Sequence, residues 1–266
     1  MSSAGEQQMQ DRDPSRIVVM TAGGLGPRVM INALAEHFSN IHVIQEHPES
    51  KRAIVMRRAR RFGWPHALGQ LATTVAARLG KKVGARRSAE IIAQYGRSAE
   101  IDPTIPLTQV PSLNDAACHD LLQELQPAAI FTVSCRILSQ ATLAAAPCPV
   151  INFHAGINPT YRGQMGGYWA RVEGDEANFG ATVHLVDAGT DTGGTLSENR
   201  LTPTRSDTMS TYPLLITAAS TDLAVRALRD AVTGNLRPHA PSGPSVLRFP
   251  PPVWTWLYHG LTKGIW

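Results

Sequence analysis

The stretch VINFHAGINPTYRG, residues 150–163, begins as a buried strand and ends by presenting Asn152, His154, Asn158 and Arg162. Asn152 and His154 are two apart, so on a strand both project to one face. An amide beside an imidazole offers an N–H donor to a developing oxyanion and a group that handles a proton, the pairing that acyl transfer needs. Alone, such a histidine reads first as a hydrogen-bonded core residue. A second polar run changes the reading: VDAGTDTGG, residues 186–194, sets Asp187 and Asp191 in a glycine-rich loop after another strand. A carboxylate from that loop could fix the tautomer and charge of His154. Asn158 and Arg162 either close their loop or touch a ligand, and His184 is either a core histidine or a neighbour of the site.

These residues need a frame, and the chain has the pattern of one. Apolar runs bounded by Gly, Pro and Ser alternate with segments of helical period, the signature of a parallel sheet covered on both faces. Strands are expected at residues 16–22, 41–46, 106–110, 128–134 and 150–154. Two more, antiparallel and joined by the 187–194 loop, are expected in FGATVHLVDAG and GGTLSENRL. Helices are expected after Gly26, from Ser112 with Ser112 or Asn114 as N-cap, and as one long helix over residues 209–233. In AGGLG, the residues Gly23, Gly24 and Gly26 follow the first strand. They serve either a tight turn or an anion at a helix N-terminus, and their spacing does not match a dinucleotide fingerprint.

Composition bounds the rest. The 266 residues are 43% apolar and carry a net charge of +4. No run approaches the roughly twenty apolar residues of a membrane span. The polar, acidic start of the chain lacks the features of a signal peptide, so a cytoplasmic location is expected. Cys118, Cys135 and Cys148 are odd in number and match neither a disulfide framework nor a zinc site, so reduced thiols and no metal are expected. Twelve Lys and Arg lie between Lys51 and Arg97 against one acid, Glu90. Periodicity there is broken at Gly63, Pro65 and Gly80, predicting two or three short helices. The cluster is either a solvated face or a field for an anion, whether phosphorylated substrate, lipid surface or nucleic acid. After Gly234 the chain turns to Pro, Gly and Trp and is expected to be an extended tail. Its Trp254, Trp256, Leu257, Tyr258, Leu261, Ile265 and Trp266 need covering, by a homodimer partner or by the subunit itself.

NFHAGINPTYRG followed by GATVHLVDAGTDTGG resembles the formyltransferase family that uses 10-formyltetrahydrofolate, over about residues 16–44 and 112–201. The resemblance implies a Rossmann-like α/β fold of mostly parallel strands, to which the residues outside it add a helical basic insertion (51–100) and a C-terminal extension. It divides the chain into a disordered tail (1–15), a catalytic domain (16–201) and a C-terminal helix and Pro/Trp-rich tail (202–266). It implies catalytic roles for Asn152, His154 and Asp191. Contacts to the folate would come from Cys135, Arg136, Ile137 and Leu138 and from the loop of Val186, Asp187, Ala188 and Gly189. Acceptor contacts are expected from Gly23, Gly24 and Gly26, where some members of the family hold an acceptor phosphate, and, on the charge of the insertion rather than the resemblance, from Arg57 and Arg58, with Arg162. The family's H-P-S-L-L-P reads here from His154 to Pro159 as HAGINP, and its L-D-T-G-D reads from Thr190 to Gly194 as TDTGG. Both departures spare the catalytic groups and fall where pocket shape is set. The expected activity is transfer of a formyl group from 10-formyltetrahydrofolate to a small anionic amine, a nucleotide-linked amino sugar, without nucleic acid. The alternatives are a formyltetrahydrofolate hydrolase and a non-catalytic folate-binding or membrane-surface protein.

Overall fold

The computed structural model describes residues 12–266, without the side chains of 79–83. The core is a seven-stranded sheet of β1 (Asp13–Thr21), β2 (Phe38–Glu46), β3 (Leu107–Val110), β4 (Ala129–Val133), β5 (Val150–His154), β7 (Gly180–Leu185) and β8 (Thr195–Arg200). The order across it is β3-β2-β1-β4-β5-β7-β8. The first five are parallel, and β7 and β8 run antiparallel, as expected. Of the expected tail, residues 1–11 lie outside the described residues. The first strand starts at Asp13, earlier than expected, because β1 pairs back to Phe38 at its beginning.

Period-two alternation divides the core between the two faces of the sheet. Ile17, Val19, Phe131, Ile151 and Phe153 face α1 (Leu25–Ala35), α8 (Tyr212–Ala218) and α9 (Thr221–Val232). Val18, Met20, Ile130 and Val150 face Cys118 and Leu122 of α5 (Ala116–Leu125) and Leu143 of α6 (Gln140–Ala145). Continuing the second set along β5 puts Asn152 and His154 at the rim of that second face. The N-cap of α5 is Asp115, which accepts the Ala117 N–H, rather than Ser112 or Asn114.

The long helix and the extended tail are corrected, and the two or three helices expected in the basic insertion are three. The long helix over 209–233 is two helices: at the break the Asn199 amide donates to the Ala219 carbonyl, which a continuous helix would use, and to the Ser220 hydroxyl. The basic insertion forms α2 (Lys51–Phe62), α3 (Trp64–Val83) and α4 (Ala85–Gln94). Gly63 ends α2, Pro65 sits harmlessly in the first turn of α3, and Gly80 does not break it. The tail is not simply extended, since it holds α10 (Val253–Lys263) after three prolines, capped by left-handed Gly264. That helix packs on α3, and Tyr168 bonds His259 at 2.7 Å, while Ile265 is buried in the main core. The tail therefore covers part of its own apolar surface within the subunit.

Candidate active site

The site starts from a register fact: β5 pairs with β4 and β7 so that Thr132, Asn152 and His184 lie side by side across three strands. The Thr132 hydroxyl donates to Asn152 Oδ1 at 2.8 Å, which fixes the amide and turns its NH2 toward the cavity. Asn152 Nδ2 lies 3.0 Å from His184 Nε2 and 3.3 Å from Asp191 Oδ1. His184 Nδ1 faces the Leu185 carbonyl at 2.7 Å, and a carbonyl only accepts, so that nitrogen carries the proton and Nε2 receives the Asn152 N–H. His184 therefore belongs to the site. The signal in the sequence was the register of β7 against β5, which a single strand's pattern does not reveal.

His154 is held from both sides. Its Nε2 donates to the Tyr161 carbonyl at 2.7 Å, and its Nδ1 lies 3.6 Å from Asp191 Oδ2. Asp191 stands in the left-handed region at φ 51°, where an aspartate is tolerated and most residues are not. Three contacts hold its carboxylate: the Gly163 N–H at 2.8 Å, the Asn152 amide at 3.3 Å and His154 Nδ1 at 3.6 Å. Burial pushes the Asp191 carboxyl up, but His154, His184 and the Gly163 N–H together outweigh burial and bring it to about 2. The loop that delivers Asp191 can close only because of a glycine, since a Cβ at Gly193 would stand 1.8 Å from the Leu185 carbonyl oxygen. Arg162 donates to the Thr190 carbonyl at 2.9 Å, tying that loop to the next segment.

These groups line a cavity of about 420 Å³. Cys135, Arg136, Ile137 and Leu138 line it on one side, with Val186, Asp187 and Gly189; Ala188 is not among the lining residues. Buried Glu46 anchors the first of these segments, accepting the Arg136 N–H at 2.7 Å and its Nε at 2.6 Å. Arg136 also donates to the His47 and Pro111 carbonyls, so one ion pair ties together the ends of β2, β3 and β4. Burial pushes the Cys135 thiol up to about 12, which leaves no thiolate at neutral pH.

The opposite side was not foreseen. Gln164, Met165, Leu247, Arg248 and Phe249 line it, with Arg61 from α2. A two-stranded ladder between β6 (Arg162–Gly163) and β9 (Leu247–Arg248) brings the C-terminal segment there. Gly163 has φ 89°, and a Cβ on it would lie 2.5 Å from the Arg248 carbonyl oxygen. Gly163→Ala should therefore destabilise the fold by on the order of 2 kcal/mol and loosen this wall, seen as a lower melting temperature. Among the expected acceptor residues, Gly23, Gly24, Gly26, Arg57, Arg58 and Arg162 are not among those that line the cavity. Arg57 pairs with Glu49, and the Gly23 N–H donates to the Thr21 hydroxyl at 3.0 Å. Arg61, one turn further along the same helix, reaches the cavity instead and stacks on Phe249, 4.5 Å from the ring centre.

An α/β sheet covered on both faces, with an amide, two imidazoles and a carboxylate gathered at the rim of its central strands, defines a site of the acyl-transfer type. The formyl transferase family model matches residues 15–228, and the chain belongs to that family. A methionyl-tRNA formyltransferase from Anaeromyxobacter sp. (strain K) is 32% identical over 135 residues, 50% of this chain and 43% of that protein. One from Pelotomaculum thermopropionicum is 30% identical over 152 residues, 57% of this chain and 48% of that protein. The chain thus spans less than half the length of these curated relatives. Among solved structures, a sugar N-formyltransferase from a Shewanella strain shares the fold with a TM-score of 0.55 and 14% identity, covering 88% of this chain and 76% of that one. A glycinamide ribonucleotide transformylase from Symbiobacterium toebii does so with a TM-score of 0.56 and 19% identity, covering 88% and 95%. Among the described residues no helix is long and apolar enough to cross a membrane.

Proposed function

We propose that the protein transfers a formyl group from 10-formyltetrahydrofolate to the amine of a small anionic acceptor, a nucleotide-linked amino sugar. The observation that carries this reading is the convergence of Asn152, His154 and Asp191 on one cavity, with the segments Cys135–Leu138 and Val186–Gly189 along one side of it. Those segments are the folate side, and the side formed by Arg61, Gln164 and Leu247 to Phe249 receives the acceptor.

Transfer requires the amine nitrogen to bond the formyl carbon while the bond from that carbon to folate N10 breaks. Negative charge grows on the formyl oxygen, and the amine must lose a proton. Asn152, its carbonyl end held by Thr132, presents N–H groups to that oxygen. A donor so placed contributes about 3 kcal/mol to the transition state. His154 has committed its Nε2 hydrogen to Tyr161, so it acts through Nδ1, the nitrogen that faces Asp191. That leaves the His154–Asp191 pair as the acceptor of the amine proton. N10 leaves with a proton, so the net exchange is one hydrogen for one formyl group on each partner.

Formyltetrahydrofolate offered with a panel of amino-sugar nucleotides should yield tetrahydrofolate and an N-formylated product by mass spectrometry, in equal amounts. Tetrahydrofolate and formate released at the same rate without any amine would show hydrolysis instead. Arg61 is placed to hold the acceptor's phosphate, since among the described residues it has no carboxylate partner and only the rings of Phe62 and Phe249 beside it. Arg61→Glu should raise the acceptor KM roughly tenfold or more and leave the folate KM unchanged, the loss of one charged hydrogen bond. Equal effects on both substrates would take Arg61 out of that role.

A further inference from the structure

We infer that the face built by α2, α3 and α10 docks on an anionic lipid bilayer. The first observation is α2 itself. It carries no buried residue, so it adds nothing to the core, and Lys51, Arg52 and Arg60 stand exposed on it, beside Arg57, which pairs with Glu49, and Arg61, which reaches the cavity. A helix of a folded domain ordinarily buries one stripe. The second is a pair of exposed apolar stripes on the two neighbouring helices. On α3, Trp64, Leu68 and Val75 recur at helical spacing on one face and are 54%, 53% and 48% exposed. On α10, Trp254, Leu257, Tyr258 and Leu261 follow the spacing i, i+3, i+4, i+7, and Leu261 is 78% exposed.

The two helices are one structural unit. Trp254 covers Gly69 so closely that a Cβ there would meet its ring at 2.5 Å. Gln70 and Thr73 of α3 donate to the Pro250 and Pro251 carbonyls that lead into α10, each at 2.8 Å. Phe62 at the end of α2 packs edge-on against Phe249, 4.9 Å between ring centres.

Charge decides what covers this face. From Lys51 to Val83 the sequence holds nine Lys and Arg and no Asp or Glu, and from Ala231 to the C-terminus it holds no Asp or Glu either. Glu49, just before α2, is already paired with Arg57, so a second copy docking the same face would bring two basic surfaces together with no free acid to answer them, at a cost in repulsion. A nucleic acid would answer the arginines but leave the Trp and Leu stripes in water. An anionic bilayer answers both: its headgroups attract the arginines, and its interface takes Trp, Tyr and Leu to the depth of an amphipathic helix lying in the plane. Spanning is not required of any helix.

The test is flotation of the full chain with vesicles of phosphatidylcholine containing about a third phosphatidylglycerol, beside vesicles of phosphatidylcholine alone. The expected result is binding to the anionic vesicles that weakens in high salt, and little binding to the neutral ones. Arg52→Gln with Arg60→Gln should weaken binding about fivefold for each charge removed. Leu257→Gln with Leu261→Gln should abolish it. All four side chains are exposed, and unchanged melting temperatures would confirm that the variants fold. Recovery of the wild-type chain in the soluble fraction with both vesicles would overturn the inference, as would binding indifferent to the arginine changes. A dimer by light scattering that the Leu257→Gln, Leu261→Gln variant dissociates, without vesicle binding, would assign the face to a second copy instead.

Discussion

Asn152→Ala is expected to lower kcat about a hundredfold or more with little change in either KM, because the amide acts where charge develops rather than where substrates rest. The fold should survive. Asn152 lies at the rim of the core, the Thr132 hydroxyl keeps the Ile151 carbonyl as an acceptor, and the donor lost to His184 Nε2 and Asp191 Oδ1 is modest beside the surrounding ladder of backbone bonds. Steady-state kinetics with a melting curve separate the two effects. A variant within tenfold of wild type would show that the oxyanion is stabilised by something else. Thr132→Val supplies the finer check: it keeps the Asn152 amide but frees it to rotate, so kcat should fall by less than in Asn152→Ala.

Asp191→Asn should be impaired as severely, and for a different reason. A neutral amide can neither draw a proton toward His154 Nδ1 nor hold the positive charge that results. The pH dependence tells the two roles apart. With its carboxyl held at about 2, below the ordinary 3.8, Asp191 stays ionised throughout the range in which the enzyme would be assayed. The same shift makes the carboxylate a stabilising group. Its contribution, on the order of 2 kcal/mol, is complete above about pH 4 and is lost as pH falls toward 2, where the folded state too takes up the proton. The melting temperatures of wild type and Asp191→Asn should therefore differ most at neutral pH and converge in acid. A constant gap across that range would mean that the carboxylate charge is not what the loop depends on.

The central strands β1, β4 and β5 were legible because their runs are apolar on both faces, and Asn152 with His154 stood out as the interruption of such a run. Asp191 was legible through its glycine-rich loop. What the sequence could not show depends on register and on distant segments. His184 reads as an ordinary strand residue until β7 is set opposite β5, and Thr132 is one of many threonines until β4 is set beside it. The basic cluster was visible, but which arginine turns inward is settled by the Phe249 ring that receives Arg61, nearly two hundred residues away. The break after α8 was hidden for a similar reason. Ala219 and Ser220 permit a helix, and the partner that takes up the Ala219 carbonyl at the break, the Asn199 side chain, comes from β8.

The ladder between β6 and β9 has a consequence for how this site can be rewritten. The C-terminal segment is attached through main-chain atoms: Arg162 N–H to the Val246 carbonyl at 3.2 Å, Gln164 N–H to the Arg248 carbonyl at 3.0 Å, and Val246 N–H to the Pro159 carbonyl at 3.1 Å. Every residue but proline carries both of those groups. Leu247, Arg248 and Phe249 can therefore be exchanged without detaching the segment, whereas the sequence demand falls on Gly163 across the ladder. The cavity is then half fixed and half interchangeable: its reacting groups belong to the sheet and to the loop between β7 and β8, while one wall is a replaceable cassette. A small library varied at residues 247–249 alone would explore different acceptor shapes while Asn152, His154 and Asp191 kept their positions.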